Sequence, residues 1–210
     1  MTTAPISHLD LGAIQRLRKV VVGVFLVALI ALSVVSQTPG GVDGGWHHRL
    51  EYIGYAAIVI SIVGRAWCSL YIGGRKKAEI VDRGPYSVTR NPLYVFSFIG
   101  AFGVGAQTGS ITIAALFVLA SLIVFSMTVH REEAFLRGEF GEVYERYFAR
   151  TPRFFPKASL WRDEDELTIR PSLFLVTIRD GMVFLLAIPL FELIDMAQVD
   201  GWLSVLVRLP

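Results

Sequence analysis

Charge is scarce in this chain of 210 residues: only 18% are Asp, Glu, Lys or Arg, against about 25% in an ordinary soluble domain. Cysteine is scarcer still. Cys68 stands alone, which excludes an internal disulfide and any cysteine-rich metal site. Of the four histidines, His8 and His130 stand by themselves and His47-His48 are adjacent. Adjacent residues point to different faces of a helix or strand, no third ligand is expected nearby, and no metal site is expected. Internal repeats and low-complexity tracts are absent. The formal net charge of +2 says little by itself, and no nucleic-acid partner is expected.

What the chain has in abundance is apolar sequence, 53% of all residues, gathered into blocks rather than spread evenly. Residues 20–36, 50–72, 111–129 and 172–194 are each long enough, or nearly so, to cross a hydrocarbon core of ~30 Å, which needs ~20 helical residues. A fifth block, 92–106, is short for a span. The turn signal Gln107-Thr108-Gly109-Ser110 follows it and leads straight into the next block. Residues 92–129 therefore read as a helical hairpin across the membrane, with Pro92 at a first helical turn, where a missing N–H costs nothing. The expected fold is an all-α polytopic membrane bundle of about five transmembrane helices with a cytoplasmic amphipathic helix, one integral membrane domain over 1–210.

Basic residues orient it. Arg16, Arg18 and Lys19 precede the first span, and Arg75, Lys76, Lys77, Arg83 and Arg90 lie between the second and third. Eight more, from Arg131 to Arg170, follow the fourth. With a cytoplasmic N-terminus all of these share one side, and Arg49 and Arg208 are left outside, a strong positive-inside asymmetry. That predicts an integral membrane protein, in the inner membrane if bacterial and the endoplasmic reticulum if eukaryotic. A cleavable signal peptide ending near Val34-Val35-Ser36 competes for the first block, but the basic lead-in and apolar run are both too long.

In the polar stretch 130–170, Leu136, Phe140, Tyr144 and Tyr147 form one helical stripe and Glu139, Glu142 and Glu145 fall elsewhere, so a helix is predicted to continue out of the fourth span. It should stop before Thr151-Pro152. "RTPRFFP" then reads as an extended basic, aromatic strap. Arg179-Asp180 is expected near the boundary, with the last span running from about Gly181, and the tail 201–209 is expected to be interfacial.

Two constellations stand out, "GPYSVTRNPLY" at 84–94 and "REEAFLRGEFGEVYERY" at 131–147. Together they resemble the isoprenylcysteine carboxyl methyltransferase and phospholipid methyltransferase family of integral membrane enzymes. That pattern has Gly-Pro-Tyr, then Arg-His-Pro-x-Tyr-x-Gly opening a hydrophobic hairpin, then a Glu-Glu pair and Phe-Gly-x-x-Tyr-x-x-Tyr. The resemblance covers about 73–156, a catalytic core, and leaves 171–210 as a C-terminal membrane extension. Two positions depart from it. Asn91 stands where the pattern has histidine, and it cannot titrate near neutral pH. Phe96 stands where it has glycine, which should reshape a tunnel wall.

The resemblance implies methyl transfer from S-adenosyl-L-methionine to an amphiphilic, membrane-embedded acceptor, a prenylcysteine-like carboxylate or a lipid headgroup. It implies cofactor contacts from Val81, Gly84, Pro85, Tyr86, Arg90, Asn91, Tyr94, Glu132, Glu133, Tyr144 and Tyr147, with Arg90 and Glu132 as the catalytic pair. The donor carries a sulfonium, an ammonium and a carboxylate, so both signs of charge make sense, with the fork of Arg90 facing the carboxylate. Arg65, inside a span, is either a substrate or ion-pair residue or snorkels to the headgroups; with Phe96 it is the expected substrate contact. Blander readings stand beside these. Glu133 and Arg137 are an ordinary i,i+4 pair, Arg90 anchors a helix end to lipid phosphate, and Gly103-Val104-Gly105 serves packing. Two other classes stay open: an NADPH-dependent membrane reductase of the sterol-reductase kind, and a non-catalytic membrane scaffold.

Overall fold

A computed structural model describes residues 8–75 and 79–210, with side chains from Val20 onward. The basic residues Arg16, Arg18, Lys19, Lys76 and Lys77 lie outside the described residues or side chains, as does the side chain of His8. The described residues are mainly helical: α1 (His8–Val35), α2 (Gly45–Ile72), the short α3 (Pro85–Val88), α4 (Pro92–Ala106), α5 (Ile111–Phe140), α6 (Glu142–Arg150), α7 (Pro171–Met182) and α8 (Ala187–Val199). Three helical stretches are long and apolar enough to cross a membrane, Gly45–Ile72, Ile111–Phe140 and Pro171–Val199, and two shorter apolar ones, Val20–Val35 and Pro92–Ala106, lie beside them. The all-α membrane bundle with about five apolar helices is the observed fold.

Helices in lipid gain little from apolar burial against one another, so close approach of small residues decides which of them pair. Gly54 on α2 and Gly103 on α4 do this here: a Cβ on Gly103 would stand 2.8 Å from the carbonyl oxygen of Gly54. Packing is thus the role of the glycines in α4. The predicted hairpin of α4 and α5 forms, with Pro92 in the first turn of α4 and the hydroxyl of Ser110 accepting from the Ile113 N–H at the start of α5. Leu29, Ile113, Phe117, Phe191 and Ile194 form a core that ties α1, α5 and α8 together.

Three expectations change. The stripe through Tyr147 is not one helix: Gly141, at φ 50°, ends α5 and starts α6 at a new angle, in a region of backbone space that costs glycine little. Residues 171–199 are helical from Pro171, with a 3-10 stretch at Val183–Leu186, so Arg179-Asp180 lies inside the helix rather than before it. The tail does more than rest at an interface. Val207–Arg208 (β2) pairs in parallel with Ser36–Gln37 (β1), and the Pro210 carbonyl accepts from the Thr112 N–H and the Ser110 hydroxyl. The buried Gln198 amide nitrogen reaches the carbonyls of Ser33, Val34 and Ser36 at 2.9–3.2 Å, closing the end of α1.

Candidate active site

α5 has 30 residues, about 45 Å at 1.5 Å per residue, so its last turns outrun a hydrocarbon core of about 30 Å. Those turns carry Glu132 and Glu133. The strap at 151–157 is non-helical but bent at Thr151 and at Arg153–Phe155 rather than extended as expected, and is laced onto the segment before α4. The Arg90 N–H donates to the Pro152 carbonyl at 2.8 Å, and the Lys157 N–H to that of Val88 at 2.9 Å. The Thr89 hydroxyl and the Asn91 amide both donate to the Arg153 carbonyl, at 3.0 and 3.2 Å. Asn91, at the position of the motif histidine, is therefore a strap holder. Its side-chain amide supplies the donor for that contact.

Beneath the strap Arg90 is almost wholly enclosed. Its Nε and Nη2 donate to Glu133 Oε1 at 3.1 and 3.0 Å, its Nη1 donates to the carbonyls of Phe148 and Thr151, and its Cζ lies 4.0 Å from the centre of the Phe148 ring. Arg153 closes on the same carboxylate, with Nη2 2.6 Å from Oε2. This corrects two expectations. The Arg90 fork is turned toward Glu133 and the strap rather than left free for a ligand carboxylate, although the residue still lines the cavity described next. Glu133 is 4% exposed and pairs with Arg90 and Arg153, while Arg137 pairs with Glu145 at 2.7 Å instead. His130 is not solitary either, since its Nε2 lies 3.1 Å from Arg153 Nη1.

A cavity of about 400 Å³ opens between the two motif segments. Val81, Tyr86, Arg90, Asn91, Tyr94, Glu132, Glu133, Tyr144 and Tyr147 all reach its wall, so nine of the positions picked from sequence converge. Gly84 and Pro85 stand behind the wall: the Gly84 N–H donates to the Arg162 carbonyl at 2.7 Å, and Pro85 is buried at the start of α3. The Tyr94 hydroxyl donates to Glu132 Oε2 at 3.2 Å, and that of Tyr147 to the Tyr86 carbonyl at 2.8 Å. Burial, with the Glu133 charge adding to it, raises the Tyr144 phenol to about 12 against the pull of Arg90. Burial first, and neighbouring groups second, also push Tyr86 and Tyr147 upward. All three remain neutral hydroxyls at physiological pH. Two charged wall residues escaped the sequence reading of the site, Glu79 and Arg131. Both lie in stretches whose basic residues signal topology, and only the adjacency of Arg131 to the Glu-Glu pair points to the site.

Asp82 anchors the surrounding loops, accepting from Arg150 Nη2 at 2.8 Å and Arg162 Nη2 at 2.9 Å. Burial works against its ionisation, but the two guanidinium groups outweigh that and hold the carboxyl below its ordinary range.

Arg65 and Phe96, the expected substrate contacts, lie apart from this wall. Arg65 donates to the Ser97 hydroxyl and faces the Phe184 ring, so it points into the bundle rather than to the headgroups. The Phe96 ring rests on Gly64 of α2, in the space a Cβ there would take. The bulk gained at 96 is received by a glycine on the facing helix, and the ring packs beside Cys68, Tyr71 and Tyr86. Nearby, an apolar cavity of about 500 Å³ at mid-bundle is lined by α1, α4, α5 and the 171–199 helix. Phe125 on its wall is 5.0 Å, centre to centre, from Tyr94 of the polar cavity.

At the opposite end of the bundle, the expectation of no third donor near His47-His48 does not hold. His47 is fully buried in the first turn of α2, with Nε2 3.3 Å from Asp195 Oδ2 and 3.6 Å from Glu51 Oε1. Asp195 comes from α8, so sequence spacing gave no warning of it.

Comparison with known proteins agrees with the geometry. Residues 51–143 match the family model for phospholipid methyltransferases. The chain is 38% identical over 193 residues to the nickel-cobalt-cadmium resistance protein NccN of Alcaligenes xylosoxydans, covering 91% of this chain and 87% of that one. It is 39% identical to the cobalt-zinc-cadmium resistance protein CzcN of Cupriavidus metallidurans over 168 residues, 80% of this chain and 77% of that protein. Over 107 residues it is 32% identical to the protein-S-isoprenylcysteine O-methyltransferase of Schizosaccharomyces pombe, 50% of this chain and 44% of that enzyme. No solved structure matches. The chain belongs to the isoprenylcysteine carboxyl methyltransferase and phospholipid methyltransferase family of integral membrane proteins.

Proposed function

We propose that this member of the family transfers a methyl group from S-adenosylmethionine to an amphiphile held at the membrane boundary, with the site on the cytoplasmic side. The observation that carries the reading is the single cavity made by the two motif segments, with Glu132 held by Tyr94 on its wall and tyrosines around it. Its donor set suits the cofactor: Glu132 and Glu79 offer negative charge to cationic groups, Arg131 offers a fork to a carboxylate, and the tyrosine rings offer apolar cover. When bound, S-adenosylmethionine supplies an electrophilic methyl on a sulfonium that departs as a neutral thioether.

The chain's part is to align and to keep water out, since direct displacement needs little covalent help. Glu132, fixed by the Tyr94 hydroxyl, orients the cationic part of the donor. The strap, held down by Thr89, Asn91 and the Arg90–Glu133–Arg153 cluster, roofs the site. No histidine lines the cavity among the described residues. An acceptor that needs no base, a carboxylate, therefore suits it better than an ammonium, which must first lose a proton. The apolar cavity beyond Tyr94 and Phe125 is the place we assign to the acceptor's tail.

NccN and CzcN carry names that assign them to resistance against nickel, cobalt, zinc and cadmium. We place this chain in the same setting, its acceptor being a membrane component whose methylation alters tolerance of such metals. The test is to incubate the purified chain in detergent with methyl-labelled S-adenosylmethionine and total membrane lipid. Label should appear in the lipid extract with wild type and fall sharply with Glu132→Gln. Binding of NADPH without S-adenosylmethionine would favour a reductase, and binding of neither a scaffold.

A further inference from the structure

His47 and Glu51 are four residues apart, so α2 presents them on one face, and α8 brings Asp195 against them. The imidazole is 0% exposed, whereas the Glu51 and Asp195 side chains are 18% and 13% exposed, leaving a narrow way in from solvent. Neither nitrogen of His47 makes a well-formed hydrogen bond, which is costly for a buried polar ring. The Nδ1 side is packed against Gly109, so Nε2 is the nitrogen turned to the two carboxylates. One donor atom from each of the three residues lies within 4.8 Å of the others.

The spacing is informative. Ligands at about 2.0–2.2 Å from a tetrahedral metal stand about 3.3–3.6 Å from each other. Nε2 stands 3.3 Å from Asp195 Oδ2 and 3.6 Å from Glu51 Oε1. The second oxygen of Glu51 is 3.0 Å from His48 Nδ1, an outer contact of the kind that fixes a ligating carboxylate. We propose that His47, Glu51 and Asp195 bind one divalent first-row transition-metal ion at the face of the bundle opposite the methyl-transfer cavity. An imidazole selects such ions over magnesium and calcium, and the absence of a sulfur donor from the triad disfavours copper(I). Three protein ligands leave a fourth position for water, the pattern of an open site rather than a closed structural one. Bound metal would join the start of α2 to the end of the 171–199 helix. This site stands whether or not the methyl-transfer reading holds.

The experiment is a titration of cobalt(II) into the purified full chain in detergent, read by visible absorption, with zinc(II) as competitor and magnesium as control. The expected result is one cobalt ion per chain with the intense bands of a tetrahedral site, displaced by zinc and not by magnesium. Zinc should also raise the melting temperature, since it binds the folded chain. The near-isosteric variants Glu51→Gln and Asp195→Asn should each weaken cobalt binding by at least about ten-fold and lose the zinc-dependent shift, while Glu145→Gln at the far end keeps both. If wild type binds no cobalt, or binds it no better than the Glu51→Gln/Asp195→Asn double variant, the proposal is overturned and the triad is a charge-paired staple between α2 and α8.

Discussion

At the end of the bundle that carries the polar cavity, Glu133 is gripped by two guanidinium groups at 2.6 to 3.2 Å. At the other end, His47 faces two carboxylates at 3.3 and 3.6 Å and makes a well-formed hydrogen bond to neither. Both clusters bury charge, but only one is complete. A satisfied buried network rigidifies a scaffold, whereas a buried group without a partner calls for an explanation. Adjacent residues at the first end also differ in setting. Glu133 is buried and holds the strap, while Glu132 is half-buried on the cavity wall and accepts from the Tyr94 hydroxyl.

The comparison can be broken most directly at Arg90. Arg90→Ala strips a nearly buried carboxylate of its main partner and should cost about 3–5 kcal/mol of stability, read by thermal or denaturant unfolding in detergent. A loss below about 1 kcal/mol, the range of exposed pairs, would mean the cluster is solvated and the two ends are alike. Next comes Glu132→Gln, which should leave melting nearly unchanged. It should weaken S-adenosylmethionine binding by about 1.5–3 kcal/mol, the worth of a hydrogen bond to a charged group. Calorimetry showing equal affinity would remove Glu132 from the site, and the exposed Glu142→Gln is the control. At the far end Glu51→Gln, without added metal, should cost only about 0.5–1.5 kcal/mol. A loss as large as that of Arg90→Ala would show His47 to be already fully paired.

The smallest effect concerns pH. Asp82 titrates lower in the folded chain than its unfolded value of about 3.9, because Arg150 and Arg162 favour its charge. Its contribution is therefore complete above that value and is lost as the pH falls through the folded pKa. The carboxylate is partly exposed, so Asp82→Asn should lower stability by less than about 1 kcal/mol at neutral pH. The difference from wild type should shrink below about pH 4. Melting curves that differ equally at pH 7 and pH 3 would assign the loss to packing instead.

Legibility from the sequence followed the range of each interaction. Apolar blocks, Pro92 at a helix start, the Gln107–Ser110 turn and the strap beginning at Thr151-Pro152 are local signals, and each appears where it was read. The convergence of Val81, Tyr86, Tyr94, Glu132 and Tyr144 on one cavity was legible through motifs, because both motif segments lie at the same end of one hairpin. Partner choice was not. Nothing near Glu133 in sequence says that it pairs with Arg153 rather than Arg137, and nothing near His47 points to Asp195. Nor does a phenylalanine at 96 disclose a glycine at 64.

The sequence by itself determined that this chain lives in a membrane, how many apolar helices it has, and which two segments line the polar cavity. Hydrophobic length and motif spacing are properties of consecutive residues. Only the tertiary structure decided that Arg90 grips Glu133, that Asn91 ties down the strap, that Phe96 rests on Gly64, and that a histidine at the far end meets two carboxylates. Each of these depends on which side chains from different helices come within about 3–4 Å, the range over which hydrogen bonds and ion pairs act. That is set by the close packing of helix on helix, which no single stretch of sequence encodes.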